Sequence, residues 1–146
     1  MTAGASNLVL DLVVQEGNPP DSNLTACMMQ RQEQIYDRPP RQAVFDGSFA
    51  SRANLETLKE LGVEDVVFSK GRGLSVTEMA SSTRVYQRLR NFRAGVESVI
   101  SSLKRVFGPR RRCTWRGFES FEAYAWASVL SHNLRVMARQ AIANQG

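Results

Sequence analysis

Arg93-Ala94-Gly95-Val96-Glu97-Ser98-Val99-Ile100-Ser101-Ser102-Leu103-Lys104 lies inside a longer segment, Arg84 to Arg116, around which the chain is organised. At about 3.6 residues per turn, Val85, Leu89, Phe92, Val96, Val99, Ile100, Leu103 and Phe107 fall on one apolar stripe. The spacing predicts a long amphipathic helix beginning near Ser82. Arg93, Glu97 and Lys104 return to nearly one angle on that helix, along the edge of the buried stripe, and are expected there half-sheltered. Glu97 is the only acid between residues 84 and 116, against ten Lys and Arg. Taken alone, Arg93 and Glu97 also read as an ordinary i, i+4 ion pair.

The charge distribution extends this contrast. Residues 1–73 hold 7 basic and 10 acidic side chains, whereas residues 74–146 hold 12 and 4. A basic half of this kind is an electrostatic footprint for a polyanion or a solvated helix face. The 146 residues, 42% hydrophobic and 23% charged, suit one domain with one core. No apolar run approaches the roughly 20 residues of a membrane span, so no membrane partner is expected. Met1 to Asn7 lacks the pattern of a secretory signal, and Cys27 and Cys113 are too few for a disulfide framework. The expected location is the cytoplasm, with both thiols reduced.

Upstream of the long helix the pattern alternates between strand and helix. Asn7 to Gln15 reads as a strand, central or nearly so, and after Gly17-Asn-Pro-Pro-Asp21 a helix follows, capped by Asp21 or Ser22. Its apolar positions include Leu24, Cys27, Met28 and Ile35, and Asp37-Arg-Pro-Pro40 ends it. Gln42-Ala-Val-Phe-Asp46-Gly47 is a short strand ending in an acid and a glycine. Such a carboxylate is where α/β sheets commonly place chemistry, and Asp-Gly is equally a plain turn. Ser51 caps a helix that buries Leu55, Leu58 and Leu61 and stops at Gly62, and Val63 to Ser69 is a further strand.

Lys70-Gly-Arg72-Gly-Leu74 is a basic loop without the order of a phosphate-cradling loop, and Ser75-Val-Thr-Glu78 is a capping box. Gly108 to Gly117 carries Arg110, Arg111, Arg112, Arg116 and Trp115, suited to phosphate contact and stacking, or else to a buried tryptophan beside solvated arginines. Ser120 to Ala143 closes the chain as an amphipathic helix carrying Phe121, Ala125, Val129 and Val136. His132 on it has no acid or cysteine at ligand spacing and reads as structural. The order favours an α/β fold with a mostly parallel sheet and helices packed against it.

Phe45-Asp46-Gly47-Ser48-Phe49-Ala50-Ser51 together with Arg93-x3-Glu97-x6-Lys104 resembles the second-aspartate and glutamate regions of bacterial insertion-sequence DDE transposases. The likeness covers nearly the whole chain, including Asn133-Leu134. It implies a ribonuclease-H-like mixed sheet with flanking helices. The family's signature places a tyrosine three residues before the arginine; here Arg90 holds that place and Tyr86 lies a turn earlier.

Only 34 residues lie between Asp11 and Asp46, so Asp11 matches the strand before the first helix, not the strand bearing the family's first catalytic aspartate. The expectation is that residues 1–146 are the C-terminal portion of a DDE catalytic domain, lacking the first strands. The resemblance implies Mg²⁺-dependent DNA cleavage and strand transfer, with two ions in an intact enzyme. Asp46 and Glu97 would be two of three metal ligands and catalytic residues. Arg93, Lys104, Lys70, Arg72, Arg105, Arg110, Arg111, Arg112 and Arg116 would contact DNA phosphates. Transposon-end and target DNA are the implied partners, with a homo-oligomer as a further one and no small-molecule substrate. With one ligand missing, the polypeptide alone is expected to be inactive or nearly so; the alternative is a DNA-binding remnant without catalysis.

Overall fold

Asp65-Val66-Val67-Phe68 is buried at every position, which requires apolar cover on both faces of its strand. A computed structural model shows how that cover is supplied; it describes residues 1–17, 24–106 (apart from the side chains of Lys104 and Val106) and 117–145. The elements are β1 (Thr2–Ala3), β2 (Val9–Asp11), α1 (Thr25–Tyr36), β3 (Gln42–Phe45), α2 (Arg52–Glu60), β4 (Asp65–Phe68), α3 (Val76–Met79), α4 (Thr83–Val106) and α5 (Phe118–Ala143). The result is a mixed α/β architecture of small sheets flanked by helices. The chain divides into two compact units, Asn18–Ala94 and Met1–Gly17 with Gly95–Gly146; α4 contributes residues to both.

In the unit Asn18–Ala94, β3 and β4 pair in parallel, with Gln42 opposite Asp65 and Phe45 opposite Phe68. Side chains alternate across the pleat. Val66 and Phe68 therefore enter one cluster, with Met29, Leu55, Leu58 and Met79, while Val67 enters another with Ala80 and Leu89. Leu58 is fully buried, and burial of this kind contributes about 1.5–3 kcal/mol per large aliphatic side chain.

Local signals set the helix ends. Ser51 Oγ accepts from Asn54 N at 3.0 Å, and Gly62 (φ 87°) turns the chain out of α2. Ser75 and Glu78 form the complete capping box of α3, and Ser82 Oγ accepts from Val85 N at the start of α4.

The buried face of α1 differs from expectation. Thr25, Met29 and Gln32 are buried, whereas Ile35 is half exposed and Cys27 is exposed. The reason is polar: Thr25 Oγ1 accepts from Asn54 Nδ2 at 3.1 Å, which turns that face toward α2. Asp21 and Ser22, read as its caps, lie outside the described residues, as do Phe107, Cys113 and Trp115.

In the unit Met1–Gly17 with Gly95–Gly146, the strand expected over Asn7 to Gln15 contracts to β2, Val9–Asp11, and is not central. It pairs antiparallel with β1, a two-residue strand too short to carry a periodic signal. On the other side of Val9 a side chain stands in for a strand. Asn133 Oδ1 accepts from Val9 N and Asn133 Nδ2 donates to Val9 O, both at 2.9 Å. Both backbone groups of Val9 are thereby satisfied at a strand edge. Val9, Val99 and Val129 form the core of this unit. On α5, Val129 is buried as expected, whereas Phe121, expected on the same face, is 49% exposed, and Ser128 and His132 are buried beside Val129. The described strands thus form two two-stranded sheets, not the single mostly parallel sheet that the element order suggested.

Candidate functional site

Asp46 follows the last residue of β3 and caps a short 3₁₀ turn, Gly47–Phe49. Its Oδ1 accepts from Gly47 N at 2.5 Å and from Ser69 Oγ at 3.1 Å. Its Oδ2 pairs with Arg93 Nη2 at 3.3 Å. The arrangement follows from the parallel register: Phe45 lies opposite Phe68, so the next residues, Asp46 and Ser69, leave the sheet side by side. Arg93 reaches them from α4 with its side chain only 14% exposed, while that of Asp46 is 56% exposed.

Partial burial alone would raise the Asp46 pKa, but the Gly47 amide, the Ser69 hydroxyl and the Arg93 guanidinium outweigh it and hold the carboxyl below its usual value. Asp46 is therefore an ionised, solvent-reachable carboxylate at neutral pH. Such an oxygen donor suits a hard divalent cation.

Gly47 sits where a side chain would not fit. A Cβ there would lie 2.8 Å from Lys70 Cβ. The Asp-Gly pair thus does more than turn the chain, because its missing side chain lets the Lys70 loop close against the Asp46 turn. Arg72 in the same loop is exposed, with a positive φ of 44°.

Glu97 and Lys104 both lie within α4, as does Arg105, whose Nε donates to Ser101 O at 3.4 Å. The half-sheltered reading holds for Arg93 but not for Glu97, which is exposed. The Arg93 side chain is sheltered where it pairs with Asp46. The side chain of Lys104, and Arg110, Arg111, Arg112 and Arg116 entirely, lie outside the described residues.

Arg90, at the place of the signature tyrosine, carries its guanidinium 5.8 Å from the ring centre of Tyr86, one turn earlier on α4. Ser69 carries no motif of its own; its signal is the parallel register, which single-sequence reading does not fix. Asn133 takes the strand-capping role described above, and His132 Nε2 donates to Asn7 O at 3.1 Å.

A second acid of the β3–β4 pair is not part of this group. Asp65 is buried at the opposite end, about 13 Å of strand away at 3.3 Å per residue. It accepts from Ser81 N and Gln42 Nε2, both at 2.7 Å. Among the described residues no three His, Cys, Asp or Glu side chains are grouped as metal ligands. No helix among them is long and apolar enough to cross a membrane.

No curated protein and no solved structure matches the chain. The family model described as "Transposase DDE domain" matches residues 1–134 of the 146. An aspartate at the end of a β-strand and a glutamate four residues after an arginine on a long helix are the elements through which the sequence resembles such enzymes, and with the match over most of its length the chain belongs to the transposase DDE domain family.

Proposed function

We propose that residues 1–146 are the C-terminal portion of a ribonuclease-H-like DDE catalytic domain that acts in DNA transposition. Its chemistry is strand cleavage and transfer at insertion-sequence ends. The observation that carries the reading is Asp46, ionised, half-exposed and oriented by Gly47, Ser69 and Arg93 at a strand end. In this reading Asp46 and Glu97 are catalytic carboxylates and two of the three ligands of Mg²⁺. Two bound Mg²⁺ ions would activate the nucleophile and stabilise the leaving oxygen.

The chain's own residues bind and orient DNA. Lys70 and Arg72, beside the Asp46 turn, contact its phosphates. Arg93, Lys104, Arg105, Arg110, Arg111, Arg112 and Arg116 extend the cationic track. Contacts of this class give affinity without sequence choice and weaken with salt. The partners are transposon-end and target DNA, with a second copy of the chain in the active assembly and no small-molecule substrate. The setting is the cytoplasm.

The test uses a supercoiled plasmid bearing insertion-sequence ends, with Asp46→Asn and Glu97→Gln beside the unmodified chain. Mg²⁺-dependent nicking that both substitutions abolish, with salt-sensitive DNA binding retained, supports the reading. Nicking unchanged by either substitution refutes the ligand assignment. Residues 1–146 alone are expected to nick weakly or not at all, so the same assay is run with the chain joined to a transposase segment that supplies the third carboxylate. DNA binding without nicking by both selects the alternative, a transposase remnant that occupies DNA without cutting it.

A further inference from the structure

A cavity of about 440 Å³ lies wholly within the unit Met1–Gly17 with Gly95–Gly146. Its floor is the α4 turn bearing Ser98 and Ser102, one wall is α5 through His132, Arg135 and Arg139, and Asn7 closes one side. Among the described residues no acidic side chain lines it. We propose that this cavity binds the phosphate of a nucleotide unit, with Arg135 and Arg139 as the charge partners and the hydroxyls of Ser98 and Ser102 as further donors.

The cations are placed in a way that favours an anion. Arg135 Nη2 donates to Ser102 Oγ at 2.6 Å, which fixes the guanidinium against α4. Among the described residues its buried Nε has no hydrogen-bond acceptor. Burying part of a cation with a donor unmet costs free energy, and an anion in the adjoining space offsets that cost. Arg139 is one helical turn further along the same wall, and like charges four residues apart repel. An anion between them converts the repulsion into two attractions.

The remaining wall is fixed too. His132 is held through Asn7 O, and Gln140 Nε2 donates to Ser6 O at 3.3 Å, tying the Ser6–Asn7 segment to α5. The site is thus assembled before any ligand arrives.

Arginine and hydroxyl donors converging from two helices match the several acceptor oxygens of a phosphate better than the flat pair of a carboxylate. The volume lies within the range of small-molecule sites, about 300–1,000 Å³, and exceeds what a bare phosphate fills. In the proposed complex the remainder of the nucleotide lies in the rest of this space, which is open to solvent on one side. That unit is either a free nucleotide or one nucleotide of a DNA strand. The inference is independent of Asp46 and Glu97 as metal ligands.

The test is a titration of the full chain, followed by NMR of backbone amides, with inorganic phosphate, a 5′-mononucleotide and a single-stranded oligodeoxynucleotide as separate probes. Shifts concentrated at Ser98, Ser102, Arg135 and Arg139 are expected with each. Arg139→Gln, at an exposed position, should weaken phosphate binding about tenfold while leaving the urea midpoint unchanged. The charge-matched control Arg84→Gln, exposed near the start of α4, should change it less than about twofold. Tighter binding of the oligonucleotide identifies a DNA strand as the source, and tighter binding of the mononucleotide a free nucleotide. Absence of shifts with all three probes, or equal weakening by Arg139→Gln and Arg84→Gln, overturns the proposal.

Discussion

The two acids at opposite ends of the β3–β4 pair have depressed pKa values for different purposes. For both, partial burial opposes ionisation and hydrogen bonds overcome it. Asp65 is 3% exposed and receives its two bonds from a loop amide and the Gln42 amide, whose Oε1 in turn accepts from Arg88 at 2.8 Å. Its oxygens are taken up in holding the α3–α4 junction and the strand start together. Asp46 keeps more than half its surface in solvent, and its nearest cation is a sheltered arginine. A depressed carboxylate pKa therefore does not by itself mark a reactive group. Exposure separates the acid that chemistry can reach from the one that packing has consumed, since both have cations nearby.

Substitution should break the comparison at its structural end first. Asp65→Ala leaves Ser81 N and Gln42 Nε2 without their acceptor, and the expected loss is about 2–4 kcal/mol of unfolding free energy. Urea unfolding of the full chain measures it; a loss below about 1 kcal/mol would mean that water replaces the carboxylate at that end.

Gly47→Ala should have the next largest effect. The new methyl would meet Lys70 Cβ at 2.8 Å, and the strand-end turn must shift at a cost of about 1–3 kcal/mol. Because that shift moves the Lys70 loop, DNA affinity should fall together with stability. A stable variant with full DNA affinity would remove Lys70 from the proposed track.

How far the sequence reveals these features depends on the range of the signal. Ser51, Gly62 and the Ser75–Glu78 box act within a few residues, so α2, α3 and their boundaries are legible. The apolar runs of β3 and β4 identify themselves because helices bury both faces of β4. The face of α1 is misread from sequence because its buried contacts include a threonine and a glutamine, which hydrophobic periodicity does not count. β1 and the Asn133 clamp on Val9 join residues more than 120 positions apart or rest on a two-residue strand. Neither leaves a local pattern. Asp46 is legible from Asp-Gly at a strand end, whereas Ser69 requires the register between strands, and Arg93 can be paired with Asp46 only once α4 is in place.

The smallest predicted effect falls on Asp46 itself and appears in its dependence on pH. Its folded pKa is below the unfolded value, so its ionised form contributes stability above the unfolded pKa, near 4. The contribution is lost as pH falls through the still lower folded pKa. Asp65 follows the same sign. Asp46→Asn should therefore flatten the loss of stability below pH 4 only slightly and cost less than about 1 kcal/mol at pH 7, because solvent screens an ion pair this exposed. Asp65→Asn should flatten it more, since its carboxylate is shielded from water and makes two short bonds. Urea titrations between pH 2.5 and 7 on the two variants test the ordering. An Asp46→Asn chain that loses as much acid sensitivity as Asp65→Asn would mean that Arg93 and Ser69 bind Asp46 as a structural anchor, with its carboxylate no freer for chemistry than that of Asp65.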